Sequence, residues 1–228
     1  MKVNQVAETE RPRLSKAAVV ERGLALADAE GLESVTIRRL AGELGVTPMA
    51  LYWHFRNKDE LMTGLADALW SEFDANVDPD ARWADQLRFL LESLVRVLRR
   101  HPAASQLLTG SEKRTSEAAM VATETALDVL HRGGFDAEYS AAIVRQALFT
   151  GVMLVMSEPG FEPGMTESER AEHLRQMRVR LALLPPDRFP CTVAAAGPMT
   201  SCDKPDFHYE LGVDVFIAGV EALSRRLS

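Results

Sequence analysis

Three aromatic residues stand in a row at Tyr52, Trp53 and His54. Each carries a polar group on a rigid ring. They close the segment TIRRLAGELGVTPMALYWHFRNK, residues 36–58, in which Arg38, Arg39, Arg56 and Lys58 face a single carboxylate, Glu43. Rigid ring donors and cations at this density suit fixed contacts to phosphate oxygens. The small residues just before the rings, Thr47, Pro48, Met49 and Ala50, suit close approach to base edges. Other chemistry finds no comparable support. No activated Ser, Cys or Lys motif, no metal-ligand pair at i,i+4 and no glycine-rich phosphate loop is present, so neither an enzyme nor a metal centre is expected.

The elements that must position these groups are legible around them. Thr36 reads as the N-cap of a helix whose apolar face is Ile37, Leu40, Ala41 and Leu44. Gly45 falls where that helix must stop and turn. Thr47 caps a second helix with Pro48 at its first position, where a missing N–H is harmless. Two helices joined by a short glycine-containing turn are the pattern of a DNA-binding helix-turn-helix. The competing reading is a helical hairpin inside an ordinary bundle, with Trp53 packed in the core; Leu51 and Phe55 are read as core in either case.

At 228 residues and 46% hydrophobic content the chain has material for a substantial core. Its net charge of −7 is unevenly spread. Residues 1–58 hold 9 Lys and Arg against 7 Asp and Glu, and the rest holds 17 against 26. A mildly basic head on an acidic body fits a molecule that touches a polyanion at one end. No secretory signal or membrane-spanning run is read, so a cytoplasmic protein without a membrane partner is expected. Two cysteines, Cys191 and Cys202, make no disulfide framework.

The whole chain reads as helix, an all-α fold. Residues 1–13 are expected to be a disordered arm, with Arg11 and Arg13 available to a DNA backbone. Residues 14–66 form a three-helix head and residues 67–228 a helical body. The first helix runs from the cap Ser15 to Glu30, stopped by Gly31. Asn57, with Glu60 three residues on, opens a helix whose apolar register Leu61–Phe73 spans the boundary, with Gly64 its one soft point. Further helices are read at Trp83–Arg100, Ala103–Leu108, Ser116–Arg132, Asp136–Met156, Glu167–Leu183 and Phe207–Leu227. The last has Leu211, Val215, Phe216, Gly219 and Leu223 inward. Residues 185–206, with five prolines, read as a long irregular connection.

The head resembles the tetracycline-repressor (TetR) family of transcription regulators. The resemblance covers residues 14–66. It rests on Ala25–Leu32, Thr36-Ile-Arg-Arg-Leu-Ala, Leu44-Gly45-Val46 and the octapeptide Leu51-Tyr-Trp-His-Phe-Arg-Asn-Lys58. The remainder is more weakly similar to the tetracycline-repressor body, through the Trp83 helix, Gly133-Gly134-Phe135 and residues 207–223. The resemblance implies a homodimeric repressor of a double-stranded DNA operator, released by a small-molecule effector held in the body. It implies that Arg38 reads a guanine, that Thr47, Pro48, Met49 and Ala50 face base edges, and that Thr36, Tyr52, Trp53, His54 and Lys58 hold phosphates. It also places the dimer interface on residues 141–156 and 207–227, with Ala142, Gly151 and Gly219 permitting close packing. One departure stands out. Glu72, Leu90 and Leu107 occupy the places of the residues that grip a drug–magnesium chelate, so neither that chelate nor any metal or other cofactor is expected.

An apolar effector pocket is expected between residues 65–73 and the helices beginning at Trp83, Ser116 and Asp136. Phe89, Leu94, Phe149 and Met153 are its expected lining, and Met62, Met120 and Met156 lie on the same helices; each is also an ordinary core position. His101 is read as a cation at a helix C-terminus. Cys191, Cys202 and His208 are weighed as a redox or metal sensor, but the cysteines match no tight metal spacing. A helical small-molecule carrier with a vestigial head is the alternative function, which loss of the basic residues would favour.

Overall fold

The computed structural model describes residues 14–109, 116–160, 165–201 and 204–227. The expected arm at 1–13, Gly110 and Cys202 lie outside these residues. Every described element is helical, and no strand occurs among them.

The head is assembled from local capping. The Ser15 hydroxyl accepts the Ala18 amide at 3.1 Å to start α1 (Lys16–Glu30), and Gly31 ends it at φ 87°. α2 (Ile37–Glu43) and α3 (Pro48–Tyr52) follow, joined across Gly45, whose φ of 66° is the left-handed turn that favours glycine. α4 (Lys58–Ser71) opens on Asn57, whose side chain accepts the Glu60 amide at 2.8 Å. The Glu60 carboxylate reaches back to the Arg56 amide, also at 2.8 Å, one residue beyond the usual capping-box partner. Glu43 binds Arg22 of α1 and Arg39, and Arg39 also holds Glu30 at 2.8 Å. This chain of charges fixes α2 against α1, and the hydrogen bond from Arg22 holds the Glu43 carboxyl below its ordinary pKa.

The body comprises α5 (Trp83–Arg100), a 3-10 segment (Pro102–Thr109), α6 (Glu117–Arg132), α7 (Ala137–Met156), α8 (Glu167–Ala182), α9 (Pro190–Ala195) and α10 (Pro205–Leu227). α5, α6, α7 and α10 pack on one another; α8 packs mainly on α9 and a short 3-10 turn, Pro198–Thr200. The proline-rich stretch is therefore partly helical rather than wholly irregular. Pro190 at the first position of α9 is compatible with a helix start, where no amide is needed. Trp83 meets Phe135 edge to face at 5.6 Å, tying the start of α5 to the turn after α6.

Head and body share one continuous apolar core. α4 contacts α6 and the 3-10 segment, and α1 contacts that segment too. α4 crosses residue 66 unbroken. Gly64 is not a soft point. A Cβ there would lie 2.8 Å from the ring of the fully buried Phe55. Gly23 likewise leaves room for Leu65, whose Cδ would be 2.8 Å from an added Cβ. The head is keyed onto α4 through these two close approaches.

α7 and α10 each carry two apolar faces. Tyr209, Val213, Ile217 and Val220 point inward on α10, whereas Leu211 and Val215, expected inward, are exposed, as is Gly219. On α7, Gly151 packs against Leu94 of α5 and is not available to a partner, while Phe149, Met153 and Met156 are exposed. By length and composition α7 is apolar enough to cross a membrane, contrary to the reading that no segment was, and a third of that window is buried.

Candidate nucleic-acid interface and apolar cavity

The side chains singled out between Thr36 and Lys58 divide cleanly by exposure. Leu51 and Phe55 are fully buried, as expected of core positions. Trp53 is 86% exposed, Met49 68% and Tyr52 47%, so Trp53 has no core role. Thr36, Arg38, Thr47, Pro48 and Lys58 are exposed, and Ala50 and His54 are half-buried. The Thr36 hydroxyl accepts the Arg39 amide at 3.1 Å and the Thr47 hydroxyl accepts the Ala50 amide at 3.3 Å. Each hydroxyl thereby caps a helix and keeps its own hydrogen to donate outward. Arg38 makes no ion pair among the described residues, unlike its neighbour Arg39. Lys58 stands at the start of α4, 3.9 Å from Glu33. The surface thus offers two guanidiniums without an ion pair among the described residues, Arg38 and Arg56, with two hydroxyl donors, a lysine and three exposed large side chains.

The body holds a narrow cavity of about 70 Å³ between the end of α4 and helices α5, α6 and α7, where a pocket was expected. Its wall is apolar, with Trp70, Phe73, Leu90, Leu94 and Leu148 prominent. Of the four residues expected to line it, Leu94 does. Phe89 is half-buried elsewhere on α5, and Phe149 and Met153 stand on the outer face of α7. Met62 is buried, while Met120, Met153 and Met156 are exposed, so none of these methionines lines it. Trp70 was missed because an indole at helical spacing reads only as core.

The three residues expected in place of a chelate site make other contacts. The Glu72 carboxylate meets Arg100 at 2.8 Å and His101 Nε2 at 3.4 Å, Leu90 lines the cavity, and Leu107 is buried. No cluster of metal-binding side chains occurs among the described residues. His208 donates from Nε2 to the Leu154 carbonyl at 2.8 Å, which occupies that nitrogen. His101, read as a helix-end cation, does more than cap. Its Nδ1 lies 2.9 Å from Asp28 of α1, so it joins head to body. The Asp28 hydrogen bond raises the His101 pKa against the opposing effect of burial.

A helix-turn-helix head, continued by one helix into a helical body with an apolar cavity, defines a ligand-responsive DNA-binding regulator. Comparison with known proteins gives the same class. Residues 19–65 match the model of the bacterial regulatory proteins of the tetR family, and residues 77–224 match the tetracyclin repressor-like C-terminal domain. The chain belongs to the tetR family. It is 28% identical over 214 residues to the tetracycline repressor protein class C of Escherichia coli, covering 92% of each chain. It is 29% identical over 222 residues to the HTH-type transcriptional repressor DrrR1 of Streptomyces coeruleorubidus, covering 93% of this chain and 79% of that one. Among solved structures it is similar to Streptomyces coelicolor ActR in complex with actinorhodin, with a TM-score of 0.73 and 29% identity over 93% of this chain and 99% of that one.

Proposed function

We propose that two copies of this chain grip an inverted-repeat operator and release it when a small apolar effector enters the cavity. The observation that carries the DNA reading is Trp53. A tryptophan 86% exposed at the end of α3, beside exposed Tyr52 and Met49, is unfavourable in water and has no use within the monomer. Arg38, unpaired on the same motif, supplies base reading, and Thr36, Tyr52, His54 and Lys58 join Trp53 on phosphates. Thr47, Pro48, Met49 and Ala50 approach the base edges. A carrier with a vestigial head has no reason to keep Trp53 exposed and Arg38 free.

The head is residues 14–66 and the body residues 67–228, joined by α4. One head makes few contacts, and two spaced about 34–36 Å apart read successive major grooves. The second copy docks on the outward faces of α7 and α10, where Phe149, Met153, Leu211 and Val215 are exposed. The chain acts as a binding protein rather than an enzyme, where the chromosome is, in the cytoplasm.

The cavity supplies the differential affinity that release requires. At about 70 Å³ it is well below the roughly 300 Å³ at which ligand pockets begin. An effector must widen the gap between α4 and the body, so it binds a conformation in which α4 has moved. A ligand equally compatible with both states would release nothing. Reciprocity then makes DNA weaken the effector by the same factor. Selecting genomic fragments with the purified chain tests this function. Enriched fragments should share an inverted repeat; enrichment of sequences without dyad symmetry, or no enrichment, overturns it.

A further inference from the structure

One residue of the cavity wall, Trp70, carries a hydrogen-bond donor with no acceptor. Trp70 is 93% buried, its Nε1–H is out of reach of water, and the nitrogen has no hydrogen-bond partner. A buried indole N–H ordinarily finds one. Trp70 lines both the inner cavity and an outer cleft of about 490 Å³ that reaches the first turn of α6. With Phe73, which it meets edge to face at 5.9 Å, it forms the partition between the two spaces. A molecule that widens the cavity merges them at this partition.

The other polar atoms near the partition define what such a molecule can carry. In the inner cavity the Thr123 hydroxyl already donates to the Ala119 carbonyl at 2.8 Å. No Lys, Arg or His lines that cavity among the described residues. Three residues before Trp70 on α4, Asp67 has a carboxylate oxygen that is also buried without a partner. An anionic ligand would meet a carboxylate and no compensating cation, at a severe desolvation penalty. A neutral acceptor oxygen meets the free N–H.

We infer that the effector is a neutral, largely apolar compound bearing an acceptor oxygen such as a carbonyl, and that Trp70 Nε1–H donates to that oxygen. The inference rests on the cavity being the effector site. It makes Trp70 the residue that selects among apolar molecules of equal size. It also places the anchor on α4 itself, so the ligand holds the helix that carries the head.

The test uses three matched probes on the full-length chain: fluorene, fluorenone and fluorenecarboxylate. Fluorenone should bind about fivefold to tenfold more tightly than fluorene, the factor that one net hydrogen bond supplies. Fluorenecarboxylate should bind more weakly than fluorene. Trp70→Phe keeps a ring and removes the N–H, so it should abolish the preference for fluorenone while fluorene still binds. In the unaltered protein, labelled with nitrogen-15, the Trp70 indole N–H resonance should move downfield with fluorenone and not with fluorene. That measurement stands even if the variant folds poorly. Equal binding of fluorene and fluorenone, a preference that survives Trp70→Phe, or an unmoved Trp70 resonance with fluorenone bound overturns the inference and leaves the cavity as a site. Failure of all three probes to bind overturns the reading of the cavity as the effector site itself.

Discussion

Arg38 and Arg39 are adjacent and chemically identical, yet the fold gives them different tasks. Arg39 is occupied by Glu30 and Glu43, and Arg38 has no ion-pair partner among the described residues. Arg38→Ala should therefore reduce operator affinity by about 1–3 kcal/mol and relax selectivity at one base pair, with thermal stability almost unchanged. Binding to a selected operator and to its single-base variants checks this; an unaltered sequence profile removes Arg38 from base reading. His101 acts within the molecule. It faces Asp28 and Glu72, with Arg100 as the neighbouring cation, and its pKa is raised by the Asp28 hydrogen bond. A group whose pKa is higher when folded stabilises the fold fully below its unfolded pKa, about 6.5, and loses that contribution as pH rises through the folded value. His101→Ala should lower stability by about 1 kcal/mol below pH 6.5, with the deficit shrinking at alkaline pH. Melting curves across a pH series measure it, and a deficit that does not vary with pH would show that the proton is irrelevant.

At the scale of the element, α4 links the helix-turn-helix to the cavity in one unbroken helix. Its grip on the head rests on Gly64 against Phe55 and Leu65 against Gly23. Gly64→Ala forces a methyl group into the buried Phe55 ring and should destabilise the chain by about 1–3 kcal/mol. It should also weaken DNA binding more than binding of fluorenone, because the damaged joint lies on the head side of the helix. Parallel titrations decide this, and equal losses on both sides would argue that α4 is not the coupling element. Helix starts were legible because caps are local: Ser15, Thr36, Thr47, Asn57, Ser116 and Asp136 each accept an amide three residues on. Helix faces were less legible. Leu211 and Val215 have the composition of core, but α10 is apolar on two sides and periodicity cannot say which side meets its own chain. The same ambiguity put Phe149 and Met153 in the pocket. The partners of His101 were out of sight because Asp28 and Glu72 lie far away in sequence, whereas its place at a helix end is local.

For the whole molecule, the outward faces of α7 and α10 leave an apolar surface uncovered in a single chain, and a second copy is the proposed cover. Val215 is 65% exposed and has little packing to lose within its own chain. Val215→Asp should leave the fold intact, convert the species sedimenting at micromolar concentration from two copies to one, and reduce operator affinity in step. If the unaltered chain sediments as a 25.2 kDa monomer, the proposed interface is absent. The acidic body fits this arrangement, since its net negative charge disfavours the phosphate backbone and favours approach by the mildly basic head.

The small size of the cavity also has a consequence in time. A space of about 70 Å³ cannot admit a ring compound by diffusion alone, so the helices must part first. Where opening precedes filling, the observed association rate stops rising once ligand is abundant, and the plateau is the opening rate of the empty protein. Stopped-flow mixing with fluorenone should show that plateau, and a rate that climbs linearly throughout would mean the space opens faster than molecules arrive. On that plateau the speed of the response is a property of the helix packing, and adding more effector does not hasten it.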